Sequence, residues 1–208
     1  MHLLPRIQAI IDLGSMDQAQ MHAIPAGLAG PKPQMPELDI VFKFNRLYFH
    51  NTMRINYTTY DIRRAQDTIN INSARRDIMV LSKSDNMDGA DDADDSPFIY
   101  ARILGIFHVN AIQIGTATPD YTPQRFDLLW VRWFKKITTG SWKKHKLECI
   151  SFPPMANDCS FGFLDPNDVV RACHIVPAFS SGVRHPDSQG LSLCARDSAD
   201  FCQYYVGR

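Results

Sequence analysis

The sequence carries no excess of charge of either sign. Its 22 lysines and arginines are matched by 22 aspartates and glutamates over 208 residues. No whole-protein field therefore draws it to nucleic acid or to a membrane, and such a partner would have to use a local patch. No run approaches the roughly 18 unbroken apolar residues that a membrane-spanning helix needs. The first residues, Met1-His-Leu-Leu-Pro-Arg-Ile-Gln, do not make a secretion signal, because Pro5, Arg6, Gln8 and Asp12 interrupt the apolar run. Five cysteines, Cys149, Cys159, Cys173, Cys194 and Cys202, are odd in number and widely spaced, with no Cys-x-x-Cys pair. This argues against a disulfide framework and a zinc ribbon and for reduced thiols in a nuclear or cytoplasmic protein. Cys173-His174 could be combined with Cys149, Cys159 or Cys194 into a metal site. Adjacent strand residues point apart, however, so structural thiols are the better reading and no metal is expected.

Catalytic signatures are also missing. There is no Gly-x-Ser-x-Gly elbow, no phosphate-cradling glycine loop and no His-Glu-x-x-His. Dispersed carboxylates such as Asp77, Asp127 and Asp165 make no pattern that a chain with this many acids would not offer by chance. The expectation is a non-enzymatic chain without a cofactor.

What is present is β signal. Hydrophobic residues make up 45% of the chain, enough for one core. Residues 5 to 13 suit a turn or two of helix. The prolines and glycines from 24 to 37 read as a linker, so 1–37 forms an arm and linker ahead of an ordered domain over 38–179. Strands are expected near Leu38–Tyr48, Thr52–Tyr60, Asp77–Leu81, Phe98–Val109, Phe126–Phe134 and Leu147–Phe152. Residues 62 to 76 are polar and read as an irregular turn. In the longest strand, Ile99, Ala101, Ile103, Phe107 and Val109 should share a face, with Gly105 at a bend. Asp165-Pro-Asn-Asp is a helix-start signal with Asp165 as cap, and the helix must be short because Pro177 follows. The stretch 180–208 reads as a polar, mobile tail with one aromatic strand at its end. Strands joined by loops, with short helices and irregular arms, give a mostly β fold, a small barrel or a partly open one.

Three constellations invite function. Tyr100, Trp130, Trp133 and Phe134 could contact a protein partner, or wall a pocket for a methylated lysine through cation–π attraction. The competing reading is core packing, the usual fate of rings this size. Trp133 and Phe134 are consecutive on a strand and must point to opposite faces. The run Lys135, Lys136, Trp142, Lys143, Lys144 and Lys146 could track a phosphate backbone with a stacking ring, or be a solvated hairpin end. Asp85, Asp88, Asp91, Asp92, Asp94 and Asp95 crowd one loop without the spacing of a Ca²⁺ loop, which leaves a solvated acidic segment.

The order of four motifs resembles the bromo-adjacent homology (BAH) domain: Asp77-Ile-Met-Val-Leu, then Pro97-Phe-Ile-Tyr-Ala-Arg-Ile-Leu-Gly-Ile-Phe, then Val131-Arg-Trp-Phe, then the proline-led turn and strand over 165–176. The chain departs from the family after the tryptophan strand, where Lys135-Lys-Ile-Thr-Thr replaces Arg-Pro-Glu-Glu-Thr. A second set of phrases, Asn56-Tyr-Thr-Thr-Tyr-Asp-Ile-Arg-Arg, Leu128-Leu-Trp-Val-Arg-Trp-Phe, Phe161-Gly-Phe-Leu-Asp-Pro and Ile175-Val-Pro-Ala-Phe, resembles the C-terminal region of fungal proteins associated with Plavaka-type DNA transposons. The first resemblance implies a BAH-like barrel that binds a chromatin protein. The second implies an accessory piece, or a truncated remnant, of a transposon-encoded assembly. DNA binding through the basic run is the alternative function.

Overall fold

The longest strand runs over Phe98–Ile114, where β-branched and aromatic residues follow one another with one glycine and one buried charge. In a computed structural model, described over residues 39–61, 63–82, 97–114, 121–137 and 147–207, it is the fifth of twelve strands. They are β1 (Asp39–His50), β2 (Thr52–Thr58), β3 (Arg64–Asn70), β4 (Asp77–Leu81), β5 (Phe98–Ile114), β6 (Gln124–Trp133), β7 (Lys135–Lys136), β8 (Cys149–Ser151), β9 (Phe161–Leu164), β10 (Val169–Ala172), β11 (His174–Pro177) and β12 (Tyr204–Gly207). Two 3₁₀ turns, Pro166–Asp168 and Phe179–Ser181, are the helical elements among the described residues. The fold is thus mostly β. No described helix is long and apolar enough to cross a membrane.

The strands form three sheets. The largest has the order β10-β4-β5-β6-β9, with β1 also paired to β5. The second is β11-β12-β8-β7, and the third is the hairpin β2-β3. The barrel expected from the sequence is not what the described residues form. The largest sheet ends in β10 and β9, which are not partners of each other, and it stays open.

The chain divides into two compact units. The larger holds Phe49–Phe107 and Asp127–Arg208, and the smaller holds Met1–Tyr48 and His108–Phe126. In the larger unit the main sheet is buried on both faces, which explains why its strands read as continuous apolar runs. Ile78 and Val80 of β4, Ala101 and Ile103 of β5, and Leu129 and Val131 of β6 point to one face and pack with Ile55 and Ile69 of the β2-β3 hairpin. Met79, Tyr100 and Phe134 point to the other and pack with Ile150, Phe152, Tyr204 and Val206, carried on or beside the second sheet. Period-2 alternation thus sorts neighbouring residues into two cores.

The alternation slips once. Ile99, Ala101 and Ile103 serve the first core as expected, but the next residue to do so is Ile106, not Phe107. Gly105 lies at the slip. A Cβ there would sit 2.5 Å from Cε2 of Phe107, so the Phe107 ring occupies the space that a side chain at 105 would need.

The polar stretch after residue 62, read from sequence as an irregular turn, holds strand β3. It pairs with β2 over seven residues, Thr52 opposite Asn70 through Thr58 opposite Arg64. Ile69 is fully buried, and the Asp67 carboxylate accepts the Ala172 backbone N–H at 3.0 Å. The turn at 166 forms as the sequence indicates. Asp165 Oδ1 accepts the Asn167 N–H at 2.8 Å, and Pro166 opens the turn. The N-terminal arm, the acidic loop and the tip after residue 137 lie outside the described residues.

The segment after residue 179 is integrated into the fold rather than appended to it. Asp200 is 2% exposed and sits between two buried guanidinium groups. Arg102 Nη1 donates to Asp200 Oδ1 at 3.2 Å, and Arg132 Nη1 donates to Asp200 Oδ2 at 2.5 Å. Arg102 also forks onto Asp77, Nε to Oδ1 at 2.8 Å and Nη2 to Oδ2 at 3.3 Å. The Tyr204 hydroxyl donates to Asp200 Oδ1 at 3.2 Å and accepts the Phe201 N–H at 2.8 Å. Burial works against the Arg102 charge, but Asp77 outweighs it and holds the guanidinium protonated, its pKa raised. Tyr204 is raised as well, first by burial and then by Asp200. Two cations and two anions thus neutralise each other in the second core.

A second anchor lies upstream. Asp197, 1% exposed, accepts the backbone N–H groups of Leu191 at 2.8 Å and Ser192 at 3.0 Å, and His185 Nε2 lies 3.1 Å from its Oδ2. Burial alone would raise its pKa. The backbone donors and His185 outweigh burial, and the carboxyl titrates below its ordinary value of 3.8.

Two outcomes are expected. Asp200→Ala leaves two buried guanidinium groups short of their shared anion and should cost about 3–5 kcal/mol. Urea denaturation measures this, and a loss below about 1 kcal/mol would contradict the arrangement. Asp197 has a folded-state pKa below its unfolded one. Its contribution is complete above about pH 4 and fades as the pH falls through the lower folded value. The urea midpoint of the wild type should therefore fall more steeply below pH 4 than that of Asp197→Asn.

Candidate partner-contacting face

Strand β6 delivers alternate residues to opposite faces, and this separates the four rings singled out from the sequence. Tyr100 (1% exposed) and Phe134 (8%) are sealed in the second core. Phe134 stacks on Phe152 at 4.0 Å between centroids and meets Tyr204 edge-on at 5.5 Å. The stacked pair lies beside a buried guanidinium, with Arg102 Cζ 5.5 Å from the Phe134 centroid and 5.0 Å from that of Phe152. The Tyr100 hydroxyl donates to Glu148 at 2.8 Å. Trp133 points to the opposite side of the sheet, half-buried against the first core. Gly162 lies beneath it. A Cβ on Gly162 would come within 2.8 Å of the indole Nε1, so the glycine makes the room the indole takes. The four rings therefore do not converge on one cage, and Tyr100 and Phe134 are core residues, as their size and apolar surroundings favour.

Trp130 behaves differently. It is half-buried and sits in a ladder with two rings from β9, the last strand of the main sheet among the described residues. Antiparallel register places Trp130 opposite Phe163 and Arg132 opposite Phe161. Trp130 stacks on Phe161 at 5.6 Å and 6°, and packs against Phe163 at 4.9 Å and 50°. Phe161 and Phe163 are also half-buried. Neither ring was a candidate in its own right. The signal was the Phe-Gly-Phe alternation, which sends both phenylalanines to the face away from Leu164 and the first core.

Arg132 fixes the base of this face. It is fully buried, with Cζ 3.9 Å from the Phe152 centroid and 5.9 Å from that of Phe161. Its Nε and Nη2 have no hydrogen-bond partner among the described residues. The Phe152 ring face meets the guanidinium plane where a carbonyl would otherwise be needed, a stacking that arginine makes and lysine does not.

The basic run divides. Lys135 is exposed on β7, and Lys136 beside it lies 3.5 Å from Glu148. Trp142, Lys143, Lys144 and Lys146 lie outside the described residues, as does the acidic loop with Asp85, Asp88, Asp91, Asp92, Asp94 and Asp95. All five cysteines are free. Cys173 is half-buried, and burial, reinforced by Asp77, raises its thiol pKa and keeps it protonated and inert. Among the described residues no three His, Cys, Asp or Glu side chains gather closely enough to hold a metal ion.

The two classes of ring should separate by stability. Phe134→Ala empties a space among Phe152, Tyr204 and Arg102 and should cost about 3–5 kcal/mol in urea denaturation. Trp130→Ala, at a partly buried position, should cost less than half of that. Equal losses would place Trp130 in the core.

Comparison of the chain with family models, with curated proteins and with solved structures finds no match in any of the three.

Proposed function

We propose that the chain is a non-enzymatic protein-interaction module, built on a BAH-like arrangement of strands, whose contact face is the Trp130, Phe161 and Phe163 ladder. One observation carries this reading: of the candidate rings on this side of the main sheet, Tyr100 and Phe134 are spent on the core, while Trp130 is only partly buried, with two phenylalanines packed on it. Tryptophan on a pre-ordered face is the residue type that most often anchors a protein contact. Its ring is held by neighbours before a partner arrives, so little side-chain entropy is lost on binding.

The motif order shared with BAH domains favours a chromatin protein as partner and a nuclear setting. The phrases shared with Plavaka-type transposon proteins favour an accessory role in a fungal transposon-encoded assembly. Both favour a binding or accessory role over an enzymatic one. Trp130, Phe161 and Phe163 pack on one another rather than around a cavity, so an apolar or aromatic anchor from the partner suits the face better than a methylated lysine.

The test is a panel of histone-tail peptides, read by fluorescence polarisation against the wild type and Trp130→Ala. Binding should weaken at least about tenfold in the variant while thermal unfolding remains cooperative. A panel without a binder, or one that Trp130→Ala holds as tightly as the wild type, would sink the reading.

A further inference from the structure

The smaller unit carries a feature that the interaction face does not use. Its described part includes Asp39–Tyr48 of β1 and His108–Ile114 of β5. Midway along β1, Phe44 and Asn45 both take left-handed backbone conformations, with φ of 59° and 50°. Asparagine tolerates this region, whereas a bulky aromatic residue rarely enters it. Such strain persists where the surroundings over-determine it and where it serves a purpose. Here it does not bury the ring, since Phe44 is 72% exposed.

Two cations flank that ring. Lys43 Nζ lies 5.3 Å and Arg46 Cζ 5.9 Å from its centroid. Two residues on, Tyr48 stacks on His108 at 4.5 Å and 5° between planes. Cations dominate this stretch of sequence: no carboxylate occurs between Ile40 and Tyr60. The described residues of this unit hold Lys43, Arg46 and Arg125 against Asp39 alone. In a chain of zero net charge that is a local concentration of cation beside exposed aromatic surface.

We propose that this part of β1 binds a single-stranded polynucleotide, with a base stacked on Phe44 and the adjoining phosphates paired to Lys43 and Arg46. Rings flanked by cations are how sequence-tolerant single-strand binding is built, because every base offers a π face and every linkage offers an anion. A duplex keeps its bases stacked internally and offers no free face to Phe44. The proposal uses none of Lys135, Lys136, Trp142, Lys143, Lys144 and Lys146 and does not depend on the protein-interaction face.

The experiment uses the full chain and a fluorescent oligothymidylate, with anisotropy measured across salt concentrations. Binding should weaken with salt at a slope of log K against log salt near about −1.4, as for two phosphates of a single strand. Phe44→Ala should weaken it roughly tenfold or more, and Phe44→Tyr should retain it. Lys43→Ala with Arg46→Ala should flatten the salt dependence. Phe44 is exposed, so these variants should unfold at the wild-type temperature. The proposal is overturned if no saturable binding is seen at low salt, or if duplex DNA binds equally well. It is overturned too if Phe44→Ala has no effect while Lys135→Glu with Lys136→Glu abolishes binding. A fourth result would also end it: sedimentation showing a dimer that Phe44→Ala dissociates, because the ring would then meet a second copy of the chain.

Discussion

The larger unit depends on a four-membered buried charge cluster, Asp77, Arg102, Asp200 and Arg132, in which each member is at most 8% exposed. Taking any one of these ions out of water alone would cost several kcal/mol. Together they pair, and rings close around them. Phe134, Phe152 and Tyr204 surround Arg102, and Phe152 and Phe161 approach Arg132. The cluster ties together β4, β5, β6 and the segment that precedes β12. Asp200 is 98 residues from Arg102 and 68 from Arg132. A segment rich in serine, aspartate and glycine thereby gains a fixed place that its own apolar content could not provide.

The cluster also decides which rings are available. The guanidinium groups draw Phe134, Phe152 and Tyr204 onto their faces, because a desolvated cation is best held by a ring when carboxylates are already shared. Those rings are then lost to binding. Trp130 lies on the same side of the sheet but faces the end strand, where its ring partners are Phe161 and Phe163. The partial burial of Trp130 and the full burial of Phe134, four positions apart on one stretch of chain, follow from which element packs over each.

Much of the strand content was legible. Asp77–Leu81 has the bounds expected from its apolar run, and the strands at β1, β2, β5, β6 and β8 fall where β-branched and aromatic residues cluster. The capped turn at Asp165 was legible because an aspartate followed by proline has few other uses. Strand β3 was not legible. Arg-Ala-Gln-Asp-Thr-Ile-Asn has a single large apolar residue, and it is a strand because β2 offers a full ladder and Ile69 reaches the core. The slip at Gly105 was seen as a bend but not as a change of phase, since the Phe107 ring that fills the glycine's space cannot be placed from local pattern.

The sequence alone determined that this is a β protein with paired faces, with zero net charge, and with the two phenylalanines of Phe161-Gly-Phe163 on one face of their strand. It did so because side-chain direction in a strand is a local property with a period of two. Only the tertiary structure decided that the sheet stays open, that Tyr100 and Phe134 are core while Trp130 is not, and that Asp200 belongs to the interior. Those outcomes rest on contacts between residues far apart in the chain. Whether a charge or a ring is buried depends on what arrives to cover it, and no local pattern records that.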